Sequence, residues 1–592
     1  EKVYTISLVG IAAISWIMIR WCDDPDAKGA DRLLILSAFL MGLGYSNHPA
    51  GFLPLPAAGI AVLVRRPQIL LRWRLVLVAV GALVIGLTPF AYEPIRAAYF
   101  PTINEGEPTG CATHFEWSCT FSSLTLQRLN DNIERKQYQK PSVLDRQAPI
   151  TAQVGMYWMY FKWQWLRDAY HEHAVLQNFL AALFLVLGLL GAWVHWRYDR
   201  DTFWYFATLA LTLSLALVYY MNFKYSFSQA PELANTVPRE PRDRDYFFLW
   251  SYSAWSVWVA LGLMYVWESL AAIAAGVRDT ASAVASAIPT RAWLVASPVL
   301  VLAFVPLVGN ARQAPRSGEM FTRDWAVDML NSVEPYSIIV TNGDNDTFPL
   351  WYAQEVEGVR QDVIVAVATY LQTDWFVRQM IRRPVRPYDA ARGPAIFRGR
   401  SWPAPVGPPL KLTFAEADAI PPIVSLREPQ LFKAGDITAT IPAGYLTRDQ
   451  IVVLHLIHDS YPSRPLYFSA GEYGSAMGLG PYLLTQGLIT KLEPKPIVAS
   501  KDTIRISGGY FDFPTSLELW NTVYQAPRAL IQQDGWVDGA SVGIGFHYAI
   551  VGSLLTQSLV ARGDTAAAKV IADTVDMMAK AGRLQRVMQG GR

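Results

Sequence analysis

Apolar residues crowd the first half of the chain in long runs separated by short polar loops, and they thin out beyond residue 310. Runs long enough to cross a bilayer occupy residues 3–19, 75–92, 178–194, 203–221, 249–274 and 293–308. A further apolar tract, 33–64, is interrupted by Ser46-Asn47-His48-Pro49 and by Pro54 and Pro56. It reads as two short helices meeting at a polar kink, which brings the expected number of spans to eight.

After residue 310 the pattern changes character. Residues 336–341 are β-branched and apolar, 350–357 read as a helix, and 362–368 again as a strand. Such a β-α-β unit implies parallel pairing. A helix at 450–458 and a strand at 465–469 extend the same scheme, while the proline-rich stretch 383–409 reads as irregular. Residues 542–580 have helical periodicity with a break at Arg562-Gly563-Asp564-Thr565, like one helix–turn–helix pair of a tetratricopeptide-type repeat. The expected fold is therefore an α-helical polytopic membrane domain over 1–309, an external α/β domain over 310–535, and a helical tail over 536–592.

Charge orients the spans. Arg65, Arg66, Arg72 and Arg74 form the most basic short loop, and Arg20, Lys28 and Arg32 lie in the loop before the 33–64 tract. Both loops prefer the cytoplasm, which requires an even number of crossings between them. Loops 196–202 and 276–291 then fall inside, and 91–177, 222–248 and everything after 310 fall outside. Loop 222–248 breaks the rule, because it holds Lys224, Arg239, Arg242 and Arg244 on the outer side. Two readings follow: these cations bind something anionic, or they pair locally with Glu240, Asp243 and Asp245.

Composition narrows the classes. A net charge of +2 argues against nucleic-acid binding, and the 21 Trp and 28 Tyr suit a protein with many membrane–water interfaces. The chain starts at Glu1-Lys2-Val3-Tyr4 and enters an apolar run with no basic leader, which reads as the interior of a longer protein. Cys111 and Cys119 share one polar loop and make a disulfide if that loop faces an oxidising compartment; the alternative is two idle thiols.

Several clusters could carry chemistry. Asn342-Gly343-Asp344-Asn345-Asp346 offers oxygen ligands at the C-terminal end of a strand, where α/β folds bind ligands, although turns also demand these residues. The spacing is not that of a calcium-binding EF-hand loop. His455 and His458 stand three apart on a helix without an evident third ligand, and His171 and His173 flank Glu172 at a membrane edge. Asn47-His48-Pro49 puts a titratable group at the outer end of a membrane helix, either for function or as a helix cap. There is no Walker loop, no G-x-S-x-G elbow and no dinucleotide fingerprint.

Taken together, Val3-Tyr4 opening a span, Asn47-His48, the run Pro238-Arg239-Glu240-x-Arg242-Asp243-Arg244-Asp245-Tyr246-Phe247-Phe248, and Thr341 to Trp351 with Gln354-Glu355-Val356-Glu357-Gly358-Val359 resemble a bacterial polytopic family. That family has been labelled a domain of unknown function (twenty-seven twenty-three). It is similar in turn to the eukaryotic transmembrane O-mannosyltransferase of plexin-type receptors and to GT-C glycosyltransferases. The resemblance implies transfer of a sugar, mannose or a similar one, from a polyprenyl-phosphate carrier to an external acceptor, a protein hydroxyl or a glycan. It also implies a multi-pass protein of the bacterial inner membrane with its large C-terminal domain on the periplasmic side. The catalytic carboxylate of such enzymes lies in a first external loop upstream of the segment matching Glu1, so no general base is assigned within this chain, and the fragment is expected to be inactive alone.

Within this scheme Arg239, Arg242 and Arg244 are the expected ligands of the carrier phosphate, since guanidinium forks match phosphate oxygens. Asn47, His48, Asp243, Asp245, Tyr246, Asn342, Asp344, Asn345 and Asp346 are the positions offered for substrate contact. No metal site is expected among them, and a divalent-metal requirement stays open. A lipid-linked-sugar transporter or flippase would share the spans and arginines, and a non-enzymatic envelope scaffold would share the external half.

Overall fold

The computed structural model describes residues 2–138, 141–168, 172–276, 288–311, 313–533, 541–582 and 584. His171 and most of the expected inner loop 276–291 lie outside them. The chain divides into two compact units, the first comprising 1–96 with 138–316 and the second 97–137 with 317–592. Segment 97–137 thus goes with the α/β part, and the helical tail is not a separate body. The expected three-part division differs on both points.

Among the described residues, six helices are long and apolar enough to cross a membrane, or seven if Trp73–Gly86 and Thr88–Ala98, bent by 41°, form one span. Five of the six belong to the first unit: Val3–Asp23, Ala174–Tyr198, Arg200–Met221, Asp245–Ala274 and Thr290–Asn310. The sixth, Val542–Ala561, lies in the second. The expected count of eight is not reached by this measure. Residues 33–64 do form two helices, Ala30–Asn47 and Leu55–Arg65, separated at His48 and a short 3-10 turn. Each falls short of a full apolar span.

Loops of the first unit segregate to two ends. The helix Lys2–Asp23 has 22 residues, about 33 Å at 1.5 Å per residue, close to the thickness of a bilayer core. At its C-terminal end Arg65 donates to the Cys22 carbonyl (3.0 and 2.7 Å) and pairs with Asp201 at 2.8 Å. Arg66 pairs with Asp26 and Arg72 with Asp31 at the same end. At its N-terminal end Tyr4 meets His48 and Trp250. Residues of the loops near 20–32, 65–74 and 196–202 are therefore grouped at one end, and the odd basic loop 222–248 meets Tyr4 at the other.

Small residues set the closest helix contact. A Cβ on Gly191 would stand 1.7 Å from the Trp258 carbonyl oxygen, and one on Gly262 2.1 Å from that of Leu187. Helices Ala174–Tyr198 and Leu249–Ala274 can pack this tightly because these positions carry no side chain. Between them and loop 222–248 stands an element the sequence did not announce, the aromatic helix Ile150–Trp165. It buries Met156, Tyr160, Phe161, Trp163 and Trp165. Its Gln153, Lys162 and Gln164 break the apolar run, so residues 91–177 read as loop.

The second unit is built on a seven-stranded mixed sheet. Its strands are β1 (Ile338–Thr341), β2 (Ile364–Val367), β7 (Leu466–Phe468), β8 (Leu483–Gln486), β9 (Ile489–Leu492), β10 (Thr503–Ile506) and β11 (Gly509–Asp512) in the order β10-β11-β8-β9-β7-β1-β2. Strands β3 (Ile423–Leu426), β4 (Gln430–Ala434), β5 (Ile437–Ile441) and β6 (Gly444–Thr447) form the pairs β3-β6 and β4-β5. β1 pairs in parallel with β2 and with β7, as the β-α-β reading requires. Every residue of β1 and β2 is buried, which is what a parallel core strand covered on both faces demands. Ile338 and Val340 face one apolar layer with the helix Arg448–Ser460; Ile339 faces the other, with Phe321–Asn331 and the tail helices.

The tail forms the hairpin Val542–Ala561 and Thr565–Ala581, its turn made by Gly563 (φ +82°) and the Asp564 cap on Ala567 N–H (3.0 Å). Buried Asp328 ties this hairpin to its own helix, Phe321–Asn331. It accepts from the amides of Gln525 (2.9 Å) and Ala526 (3.0 Å) and from the Tyr548 hydroxyl (2.7 Å). Burial nevertheless pushes its carboxyl up to about 7, against the pull of those donors. In segment 97–137, Cys111 and Cys119 are disulfide-linked with Cα atoms 4.9 Å apart, and Cys22 of the first unit is a buried free thiol.

Candidate functional site

Three sequence motifs far apart in the chain meet at one end of the first unit. The Tyr4 ring lies 5.3 Å from His48, 5.1 Å from Tyr246, 5.6 Å from Phe247 and 5.9 Å from Trp250. Asn47 locks the arrangement by donating to the Val3 carbonyl and to Ser7 Oγ, each at 3.2 Å. His48 Nδ1 accepts from the amide of Ala50 at 3.1 Å, which caps the short helix after it. A neutral ring therefore carries its hydrogen on Nε2. His48 thus fulfils the capping reading, and its ring also lies among the aromatic rings of this end.

The basic loop is mostly spoken for by its own backbone and neighbours. Arg239 donates to the carbonyls of Ser226 (3.1 Å), Phe227 (3.5 Å), Gln229 and Ala230 (2.6 Å), so its fork closes the loop upon itself. Arg244 pairs with Glu240 at 3.1 Å and donates to the Tyr246 hydroxyl at 2.9 Å, while its amide donates to Tyr160 at 2.7 Å. Asp243 accepts from Ser226 Oγ (2.5 Å), Ser228 N (3.0 Å) and Ser228 Oγ (2.7 Å), and Asp245 pairs with Arg167 at 3.5 Å. The aspartates are thus not the partners of the arginines beside them in sequence. Arg242 differs: its guanidinium sits over the Tyr246 ring at 5.7 Å, and among the described residues it has no ion pair.

The Asn342–Asp346 loop belongs to the second unit. It lies between the C-terminal end of β1 and the helix Asp344–Glu355. Asp346 accepts from the amides of Asn342 (2.8 Å) and Gly343 (2.9 Å) and from Ser469 Oγ (2.7 Å). That carboxylate is a helix cap. Asn342, Asp344 and Asn345 stay exposed. Among the described residues no three His, Cys, Asp or Glu side chains group as a metal site would need. Among the described residues His458 pairs with its neighbour Asp459 at 3.0 Å.

Sequence reasoning missed Tyr160, Ser226, Ser228 and Trp250 as parts of the cluster. The signal available was aromatic spacing: Tyr157, Tyr160, Phe161 and Trp165 recur at helical intervals facing one side.

No curated protein and no solved structure matches the chain. Two family models do. Residues 322–394 match the TMEM260-associated domain 2, a segment that contains the Asn342–Asp346 loop. Residues 1–70 match the N-terminal domain of protein O-mannosyl-transferase TMEM260, a segment that contains Tyr4, Asn47 and His48. In its opening membrane helices and in the first β-α-β of its second unit, the chain is similar to the protein O-mannosyl-transferase TMEM260.

Proposed function

We propose that this protein is a membrane glycosyltransferase that takes a sugar, mannose or one like it, from a polyprenyl-phosphate carrier and passes it to an acceptor outside a bacterial inner membrane. The similarity to an O-mannosyl-transferase over the first 70 residues supports the reaction class. Arg242 carries the reading furthest. It is a guanidinium without an ion pair among the described residues, held over Tyr246 beside Tyr4 and His48 at the membrane end opposite the cluster of Arg65, Arg66 and Arg72.

A carrier lipid is apolar along its tail and anionic at its head. It therefore needs a membrane groove that ends in cations and flat rings, and this end of the unit offers both. Arg242 would hold the phosphate and stabilise the charge left when the sugar departs. Arg244, steered by Glu240 and Tyr246, would assist it, and Arg239 would keep the loop in shape. The second unit, with Asn342, Asp344 and Asn345 exposed at the end of β1, would face the acceptor on the periplasmic side.

The test is transfer of radiolabelled sugar from a polyprenyl-phosphate donor by the full-length protein in membranes. Arg242→Ala should lower transfer on the order of tenfold to a hundredfold, the worth of a charge-assisted contact, and Arg242→Lys should recover part of it. Full transfer by Arg242→Ala at normal expression would remove the phosphate role. Movement of intact donor across the bilayer without transfer would identify a flippase instead.

A further inference from the structure

A cavity in the second unit has the makings of a binding site that the transfer reading does not use. It has a volume of about 90 Å³ and lies between segment 97–107 and the C-terminal end of the helix Asp374–Arg382. That is room for several waters and so for a small polyatomic ion. Three guanidinium groups line it: Arg382, Arg383 and Arg386. Two have carboxylate partners, Arg382 with Glu107 and Arg386 with Glu355 at 2.9 Å. Arg383 donates to the Thr102 carbonyl at 3.1 Å and, among the described residues, has no carboxylate within ion-pair distance.

The cavity is therefore short of negative charge. Burial and the neighbouring Arg386 press the Arg383 guanidinium down to about 10, against a weaker opposing pull from Glu355. Glu107, on the same wall, is 1% exposed and is held by Arg382, so its charge is already committed to that guanidinium. Two lining residues, Phe100 (φ +50°) and Glu107 (φ +39°), also hold left-handed backbone without being glycine, a strain that gathers at ligand-binding places.

We propose that this cavity binds a small oxyanion, a carboxylate or phosphate group, through Arg383 with Arg382 and Arg386 as supporting donors and Glu107 at its floor. Guanidinium forks match the two oxygens of either group. The anion closes the charge balance that Glu107 and Glu355 leave open.

The full chain in detergent micelles, titrated calorimetrically with inorganic phosphate and separately with acetate at constant ionic strength in chloride, tests this. Saturable binding is expected for at least one of them, with affinity reduced on the order of tenfold or more in Arg383→Gln. Tighter phosphate binding identifies a phosphoryl group as the natural ligand, and tighter acetate binding a carboxyl group. Should Arg383→Gln fail to fold, phenylglyoxal modification of the unaltered chain, read by peptide mass spectrometry, gives an independent answer. Arg383 should react slowly with the preferred anion present and faster without it. Absence of saturable binding by either anion, unchanged affinity in the variant, or labelling of Arg383 indifferent to both anions would each overturn the site. None of these readouts depends on sugar transfer, so they stand apart from the outcome of the activity assay.

Discussion

The ring of Tyr4, in the first turn of the opening helix, stands 5.1 Å from the ring of Tyr246, in the 3-10 turn that leads into the Leu249–Ala274 helix. Tyr246 in turn carries Arg242 over its face and accepts from Arg244. Tyr4 thus reaches both arginines through one intermediary. Tyr4→Leu should loosen that intermediary, with each aromatic contact worth about 0.5–1.5 kcal/mol. Transfer should fall in Tyr4→Leu even at normal expression. Wild-type transfer by this variant would show that the aromatic cluster is packing alone.

The pairing of Ala174–Tyr198 with Leu249–Ala274 predicts an asymmetry between glycines. Gly191→Ala pushes a methyl into the Trp258 carbonyl and should cost about 1–3 kcal/mol or more as the helices part. Gly81→Ala meets nothing within 4 Å and should be neutral, or stabilising by up to about 1 kcal/mol. Thermal unfolding of the two variants in one detergent compares them directly. Equal shifts would refute the close approach.

Asp346 and Asp344 should separate structure from substrate contact. Asp346→Ala removes the acceptor of two amides and Ser469, and should lower stability by about 1–2 kcal/mol. Asp344→Ala removes an exposed carboxylate and should leave the unfolding midpoint alone. A loss of transfer in stable Asp344→Ala would make the loop part of acceptor recognition, and unchanged transfer would leave it a turn.

Asp328 makes stability depend on pH. Its carboxyl is raised from 3.8 to about 7 in the fold. A carboxyl raised in this way contributes stability that is complete below 3.8 and is lost as pH rises through 7. The second unit should therefore unfold more easily at pH 8 than at pH 5, with a slope from this group of at most about 1.4 kcal/mol per pH unit. Asp328→Asn keeps an acceptor for the amides and should flatten the slope between those values. An unchanged slope in the variant would assign the dependence elsewhere.

What could be read in advance followed the reach of the interactions involved. Ile338, Ile339 and Val340 announce a strand, and Ile364 to Val367 another, because β-branched runs between turn residues are a local signal. The outer half of the sheet gave no such signal. Thr485, Gln486, Thr490 and Arg505 put polar side chains into strands of four residues whose partners are set by tertiary pairing. At the site, the arginines and Asn47-His48 stood out as charge and polarity in the wrong surroundings. The role of Arg239 did not, because its acceptors are main-chain carbonyls that every sequence possesses. The local-pairing reading does not extend to Asp243 for a related reason: adjacent opposite charges suggest a pair, but the loop turns the carboxylate toward Ser226 and Ser228.

Segment 97–137 belongs with residues 317–592, yet residues 138–316 are made between them. On a ribosome adding about 5–20 residues per second, the earlier piece waits on the order of ten to forty seconds for its partners. During that interval Arg382, the partner of Glu107, does not yet exist. The Cys111–Cys119 link lies wholly inside the waiting piece and can close within it. Of the contacts that hold this segment in the finished molecule, the disulfide is thus one that needs no residue made later.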